Sequence, residues 1–180
     1  MNRKKVTAAA LSVLMLAGLA ACGGTGSSSP ATTPQTTAAS GEKQPAGTLK
    51  FSYTTDSGIE IAIGALSDPL VDQLGTPAKS FEAPSCAFSG TSYTYNYNDF
   101  TLETYPDNNV NKVYAVTLIG ANAKTAEGLK IGDTAEDVQK VCGVPSKSSD
   151  AFLMYQSGDI ALQFFTSNGN VTSIVYTMMV

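Results

Sequence analysis

The sequence predicts an α+β fold: a tandem repeat of helix plus antiparallel β-meander units, forming one curved sheet with both helices on one face. Three observations predict it. The segment Ile63 to Lys79 (IGALSDPLVDQLGTPAK) matches Ile131 to Lys147 (IGDTAEDVQKVCGVPSK) at a constant offset of 68 without a gap, and Ile63/Ile131, Gly64/Gly132, Gly75/Gly143, Pro77/Pro145 and Lys79/Lys147 are identical pairs. After each copy the apolar pattern switches to period two, the signature of strands. Turn-forming runs then punctuate the strands: Pro106-Asp107-Asn108-Asn109, Ser157-Gly158 and Ser167-Asn168-Gly169-Asn170.

Taken from the N-terminus, the chain opens with Arg3, Lys4 and Lys5, an apolar run from Val6 to Leu19, and Ala20-Ala21-Cys22. A basic start, a short apolar core and small residues before a cleavage point are the layout of an export signal. The run is shorter than the roughly 20 residues that cross a bilayer, so residues 1–21 read as a signal peptide. Residues 22–47 are almost entirely Gly, Ser, Thr, Pro, Ala and Gln, which bury no core and read as a linker. If flexible, it reaches roughly 25 to 30 Å. The first helix–meander unit is expected over 48–128 and the second over 129–180.

Each matched segment carries its own helix punctuation. In the first, Ser67 or Asp68 can cap, Pro69 falls in the first turn where its missing N–H costs little, and Leu66, Leu70, Val71 and Leu74 form the apolar stripe. In the second, Thr134 can cap with Asp137 three residues on, and Val138, Val141 and Cys142 form the stripe. Gly75 and Gly143 end the helices, each followed two residues later by a proline. The strands that follow are expected at Lys79 to Ala83, Ser92 to Asn98, Phe100 to Tyr105 and Lys112 to Ile119, then at Phe152 to Gln156, Asp159 to Thr166 and Val171 to Met178. Asp99-Phe100-Thr101-Leu102 aligns with Asp159-Ile160-Ala161-Leu162 at an offset of 60, so eight residues around Pro84 to Thr91 read as an insertion in the first unit.

Two resemblances attach to these residues. Ala20-Ala21-Cys22 behind its apolar run resembles the lipobox of bacterial lipoproteins, which implies a lipid attached to the Cys22 thiol and Cys22 as the mature N-terminus; two or more acyl chains make a stable anchor. The Ile-Gly-x(10)-Gly-x-Pro repeat with its meander resembles the fold shared by the secreted beta-lactamase inhibitor protein and the small lipoproteins of outer-membrane assembly. Ser85-Cys86-Ala87-Phe88, the strand Tyr93 to Tyr97, Thr104-Tyr105-Pro106 and Thr125-Ala126-Glu127-Gly128-Leu129 resemble a group of Gram-positive surface lipoproteins that implies no activity. Cys142 stands where that group is expected to have tyrosine. No inhibitory loop of the beta-lactamase inhibitor can be matched here, so inhibition is not implied.

Charge and composition narrow the function. Loss of the signal removes three of the eleven basic residues and none of the fifteen acidic ones, leaving a net charge of −7 with no Arg, His or Trp. A nucleic-acid partner is disfavoured without a basic patch. Without His or Arg the usual general base, anion clamp and commonest zinc ligand are missing, so no enzyme, metal or cofactor is expected. With Cys22 assigned to lipid, Cys86 and Cys142 are left either as a disulfide, as paired cysteines outside the cytoplasm commonly are, or as two separate thiols. Tyr93, Tyr95 and Tyr97 alternate with polar residues and share one face of a strand. With Tyr105 they form the candidate binding face, either packed as core or open as an aromatic platform. The expected function is a membrane-anchored, extracytoplasmic module that binds another envelope or secreted protein without catalysis. The alternative is a small-molecule or glycan receptor using its tyrosines for stacking.

Overall fold

The computed structural model describes residues 48–180; the signal segment, Cys22 and the linker lie outside the described residues. In chain order the elements are β1 (Ser52–Thr54), β2 (Glu60–Ala62), α1 (Ser67–Leu74), β3 (Lys79–Pro84), β4 (Thr91–Asn96), β5 (Phe100–Asp107), β6 (Val110–Leu118), α2 (Ala135–Cys142), β7 (Lys147–Ser149), β8 (Phe152–Ser157), β9 (Ile160–Ser167) and β10 (Asn170–Met178). Strands β1 and β2 form a separate hairpin. The other eight form one antiparallel sheet in the order β3-β4-β5-β6-β10-β9-β8-β7.

The register sorts side chains onto two faces. Tyr95, Leu102, Val116, Tyr176, Leu162 and Tyr155 stand side by side across six strands, and Phe100, Leu118, Ile174, Phe164 and Leu153 form the next row. Both rows belong to a single core, which also takes Tyr53 and Ile61 from the β1–β2 hairpin, Leu70 from α1, Val138 and Cys142 from α2, and Ala123 and Leu129 from the segment between β6 and α2. The opposite face carries Thr94, Glu103, Ala115, Thr177, Ala161 and Gln156, flanked by Thr101, Thr117, Val175 and Gln163. Most of these are half-exposed, so this face is open.

The expected α+β class, with tandem helix–meander units and both helices forming a layer on one face, is corrected here. The described residues form a β-rich antiparallel fold with ten strands and only two eight-residue helices. A helix of that length spans about 12 Å, against eight strands set about 4.8 Å apart. Two of them cannot roof the sheet, and the β1–β2 hairpin and the 123–129 loop fill the rest of the covering layer. What the matched segments report is a local junction. Gly64 N–H donates to Val113 O and Val113 N–H to Ala65 O; Gly132 N–H donates to Val171 O and Val171 N–H to Asp133 O, all at 2.8–2.9 Å.

The helices differ in how they begin. Asp137 N–H donates to Thr134 Oγ1 at 3.1 Å, the expected cap of α2. Helix α1 starts from Leu66 in extended conformation with no side-chain cap. Ser67, expected as a cap, is buried and donates to Asn111 O at 3.1 Å instead, tying the helix to the start of β6. The expected stripes are only partly buried, since Leu66 and Val141 are exposed while Leu70, Val138 and Cys142 are not. Both helices close at glycine, Gly75 N–H on Val71 O and Gly143 N–H on Gln139 O.

Candidate binding site

The four tyrosines of the expected binding face do not lie together. Tyr95 pairs across β4–β5 with the fully buried Leu102, which puts Tyr93, Tyr95 and Tyr97 on the core side of the sheet. There Tyr93 and Tyr95 stack at 6.1 Å, Tyr97 stacks on Phe100 at 4.8 Å, and the Tyr97 hydroxyl donates to Gly75 O at the end of α1 at 3.4 Å. Burial raises the pKa of Tyr95 and Tyr97, as expected of phenols that serve packing. Tyr105, three residues beyond Leu102, points the other way. The single face of Tyr93, Tyr95, Tyr97 and Tyr105 is therefore replaced by two faces, with Tyr105, itself buried, on the open one; Tyr93 and Tyr105 nevertheless both line one pocket.

Two local irregularities build the open-face site around Tyr105. The β5–β6 register shifts between Glu103 and Thr104, so that Glu103 pairs with Ala115 but Thr104 with Val113, leaving Tyr114 as the extra residue of a bulge. Val113 goes to the core, and Tyr114 joins Tyr105 on the open face with ring centroids 6.3 Å apart. Beside it the β4–β5 ladder ends early. Tyr93 N–H donates to Thr104 Oγ1 at 2.8 Å, and the Thr104 hydroxyl donates to Tyr93 O at 3.2 Å. A side chain thus takes the place of the next backbone pair.

The inserted loop between β3 and β4 folds over this point. Ser85 N–H donates to Gly90 O and Phe88 N–H to Ser85 Oγ, closing the loop on itself. At Gly90 φ is +133°, and a Cβ there would lie 2.9 Å from the Pro106 side chain, so the loop's return needs glycine. Phe88 is set 4.8 Å from the Tyr105 ring and 6.3 Å from Tyr114. The three rings border an open pocket of about 270 Å³ that Pro84, Cys86, Thr94 and Glu103 also line. The Ser85-Cys86-Ala87-Phe88 and Thr104-Tyr105-Pro106 segments singled out in the sequence meet here. Phe88 was missed as a site residue, and Tyr114, open in the sequence to either face, was not assigned to the site. The eight-residue insertion could have pointed to Phe88, but an alternating pattern conceals the bulge that turns Tyr114.

Of the two arrangements left open for Cys86 and Cys142, the structure has separate thiols rather than a disulfide: both are free, the first exposed and the second buried. Cys86 follows β3, one edge of the sheet, whereas Cys142 ends the helix that leads to β7, the other edge. Burial, reinforced by the charge of Glu127, pushes the Cys142 thiol up to about 12, so it stays protonated and packs as an apolar group. Burial likewise raises Tyr155 and Tyr176. The Tyr155 hydroxyl donates to Gly143 O at 3.1 Å, closing the end of α2 as Tyr97 closes α1. Among the described residues, no group of three or more His, Cys, Asp or Glu side chains could hold a metal ion, and no helix is long and apolar enough to cross a membrane.

Compared with protein families and with curated proteins, the chain matches none. Among solved structures it is similar to an extracellular protein containing an SCP domain from Bacillus anthracis str. Ames, with a TM-score of 0.48 and 17% sequence identity. That likeness covers 64% of this chain and 44% of the other. It carries neither fold nor function to this protein.

Proposed function

We propose that the protein is a lipid-anchored, extracytoplasmic, non-catalytic module that binds another envelope or secreted protein on the open face of its sheet. The observation that carries this reading is the cluster of Phe88, Tyr105 and Tyr114 on the side of the sheet away from the core, in which Phe88 and Tyr114 are half-exposed and Tyr105 is buried. Aromatic side chains supply most of the energy of a protein interface when they centre on an accessible patch. The pocket they border is open rather than enclosed, whereas small-molecule sites bury most of their ligand's surface. The lipobox-like Leu19-Ala20-Ala21-Cys22 and the Gly/Ser/Thr/Pro-rich stretch after it support a tethered domain standing off a membrane. The resemblance to Gram-positive surface lipoproteins supports the same location.

Capture by crosslinking from intact cells, with the lipidated chain as bait, tests this function. The wild type is expected to retain a discrete protein partner that the double substitution Phe88→Ala, Tyr114→Ala loses. Equal capture by both chains, or saturable binding of a glycan without a protein partner, would overturn the reading. Mass spectrometry of the membrane-extracted chain tests the anchor, where an unmodified Cys22 thiol contradicts it.

A further inference from the structure

Strand β3 forms an uncovered edge of the eight-stranded sheet, and all six of its residues, Lys79 to Pro84, are exposed. The opposite edge, β7, has three residues, Lys147-Ser148-Ser149. The N–H groups of Tyr93 in β4 and of Tyr97 just after it point to β5, to Thr104 Oγ1 and Phe100 O. The even-numbered residues of β4 therefore turn their backbone groups to β3. Their partners there are Lys79, Phe81 and Ala83. Alternation leaves Ser80 and Glu82 with N–H and C=O directed outward, and Pro84 with only a carbonyl. Phe81, paired with Thr94, lies on the open face and is 57% exposed. A long, uncovered edge with a large aromatic at its centre is an invitation to pair with another strand.

We infer that β3 pairs with β3 of a second copy of this chain, antiparallel, about a two-fold axis through Phe81. The register is chosen by the residues. With the axis at Phe81, Phe81 faces Phe81 of the second copy in a non-hydrogen-bonded position, where side chains approach most closely. Ser80 then faces Glu82 on both sides of the axis, so that four backbone hydrogen bonds form and each serine hydroxyl can donate to a carboxylate. Lys79 faces Ala83, with no like charges opposed. An axis at Glu82 would set two carboxylates against each other and bring Pro84, which has no N–H, into the ladder. An axis at Ser80 would require the Ala78 N–H, which already donates to Asn96 O at 2.8 Å. The inserted loop turns onto the open face at Phe88 and does not cover the edge, because all of β3 is exposed. The pairing joins two sheets of eight into one of sixteen with both aromatic clusters on the same side.

Sedimentation velocity on the full chain from micromolar to millimolar concentration, with hydrogen exchange read by NMR on the same samples, tests this. A concentration-dependent dimer is expected, in which the Ser80 and Glu82 amides become protected. Phe81→Lys is expected to weaken it by at least about tenfold, because like charges then oppose on the axis. An equimolar mixture of Phe81→Lys and Phe81→Glu chains is expected to restore it. The inference is overturned by a monomer at every concentration, by a dimer whose Ser80 and Glu82 amides exchange freely, or by a charge-swapped mixture that does not associate. Binding of an extended foreign peptide to β3 in preference to a second copy would also overturn it.

Discussion

The two halves of the sheet share a junction and differ in what is built on it. In both, a glycine N–H before the helix bonds to the first half of a long strand, and a tyrosine hydroxyl closes the helix C-terminus. In the half from β7 to β10 the strands are joined by tight turns, and its edge strand is three residues long. In the half from β3 to β6 an eight-residue insertion, a bulge and a threonine wedged into the ladder together place three aromatic rings on the open face. The position corresponding to Tyr105 at an offset of 60 is Phe165, which is exposed and stands opposite Phe152 across the β8–β9 ladder. The first half thus gathers three rings into a cluster, with Tyr105 buried and Phe88 and Tyr114 half-buried, where the second half leaves an exposed Phe165.

The largest expected effect comes from crossing the sheet within that comparison. Phe164 is fully buried and meets Tyr155 edge-on at 6.1 Å, so Phe164→Ala should destabilise the fold by about 3–5 kcal/mol in urea unfolding. Phe88→Ala, on the open face of the other half, should cost no more than about 1.5 kcal/mol while removing partner capture. If both cost the same, the open face is core. Helix starts come next. Thr134→Ala should cost about 1 kcal/mol by removing the α2 cap, whereas Leu66→Ala, at an uncapped and exposed start, should change stability by less than about 0.5 kcal/mol.

The thiols separate the halves by chemistry. Cys86 should react with iodoacetamide in the native chain, and Cys142 only after unfolding. Because the folded state holds Cys142 up to about 12 from a reference near 9, the unfolded chain releases that proton first. The associated stability is complete below about pH 9 and is lost as pH rises towards 12. Tyr155 and Tyr176, also raised by burial, act in the same direction. The urea midpoint at about pH 11 should therefore lie below that at neutral pH; an unchanged midpoint would mean that these groups are hydrated.

Seven of the strands were legible in the sequence because each carries enough alternation to declare a face, and all were found within two or three residues of their expected ends. Strands β1, β2 and β7 were not, since three residues cannot display a period. The helices were located by Gly75, Gly143 and Thr134, but their weight in the fold was misjudged. Cap, stripe and stop signals mark where a helix lies and do not say what else covers the sheet. Ser67 shows the limit at one residue: a hydroxyl at a helix start reads as a cap until a strand carbonyl claims it. The candidate site was half legible. Tyr105 and the inserted Ser85-Cys86-Ala87-Phe88 were marked, while the bulge that sends Tyr114 to the same side depends on a pairing register that no single strand encodes.

The most direct test of the central claim places a photo-crosslinking benzoylphenylalanine at Phe88 and, separately, at Phe165, and irradiates cells displaying the full chain. The aromatic cluster of the first half predicts a discrete protein adduct from position 88 and none from position 165. Adducts from both positions alike, or from position 165 alone, would contradict the assignment of binding to the first half.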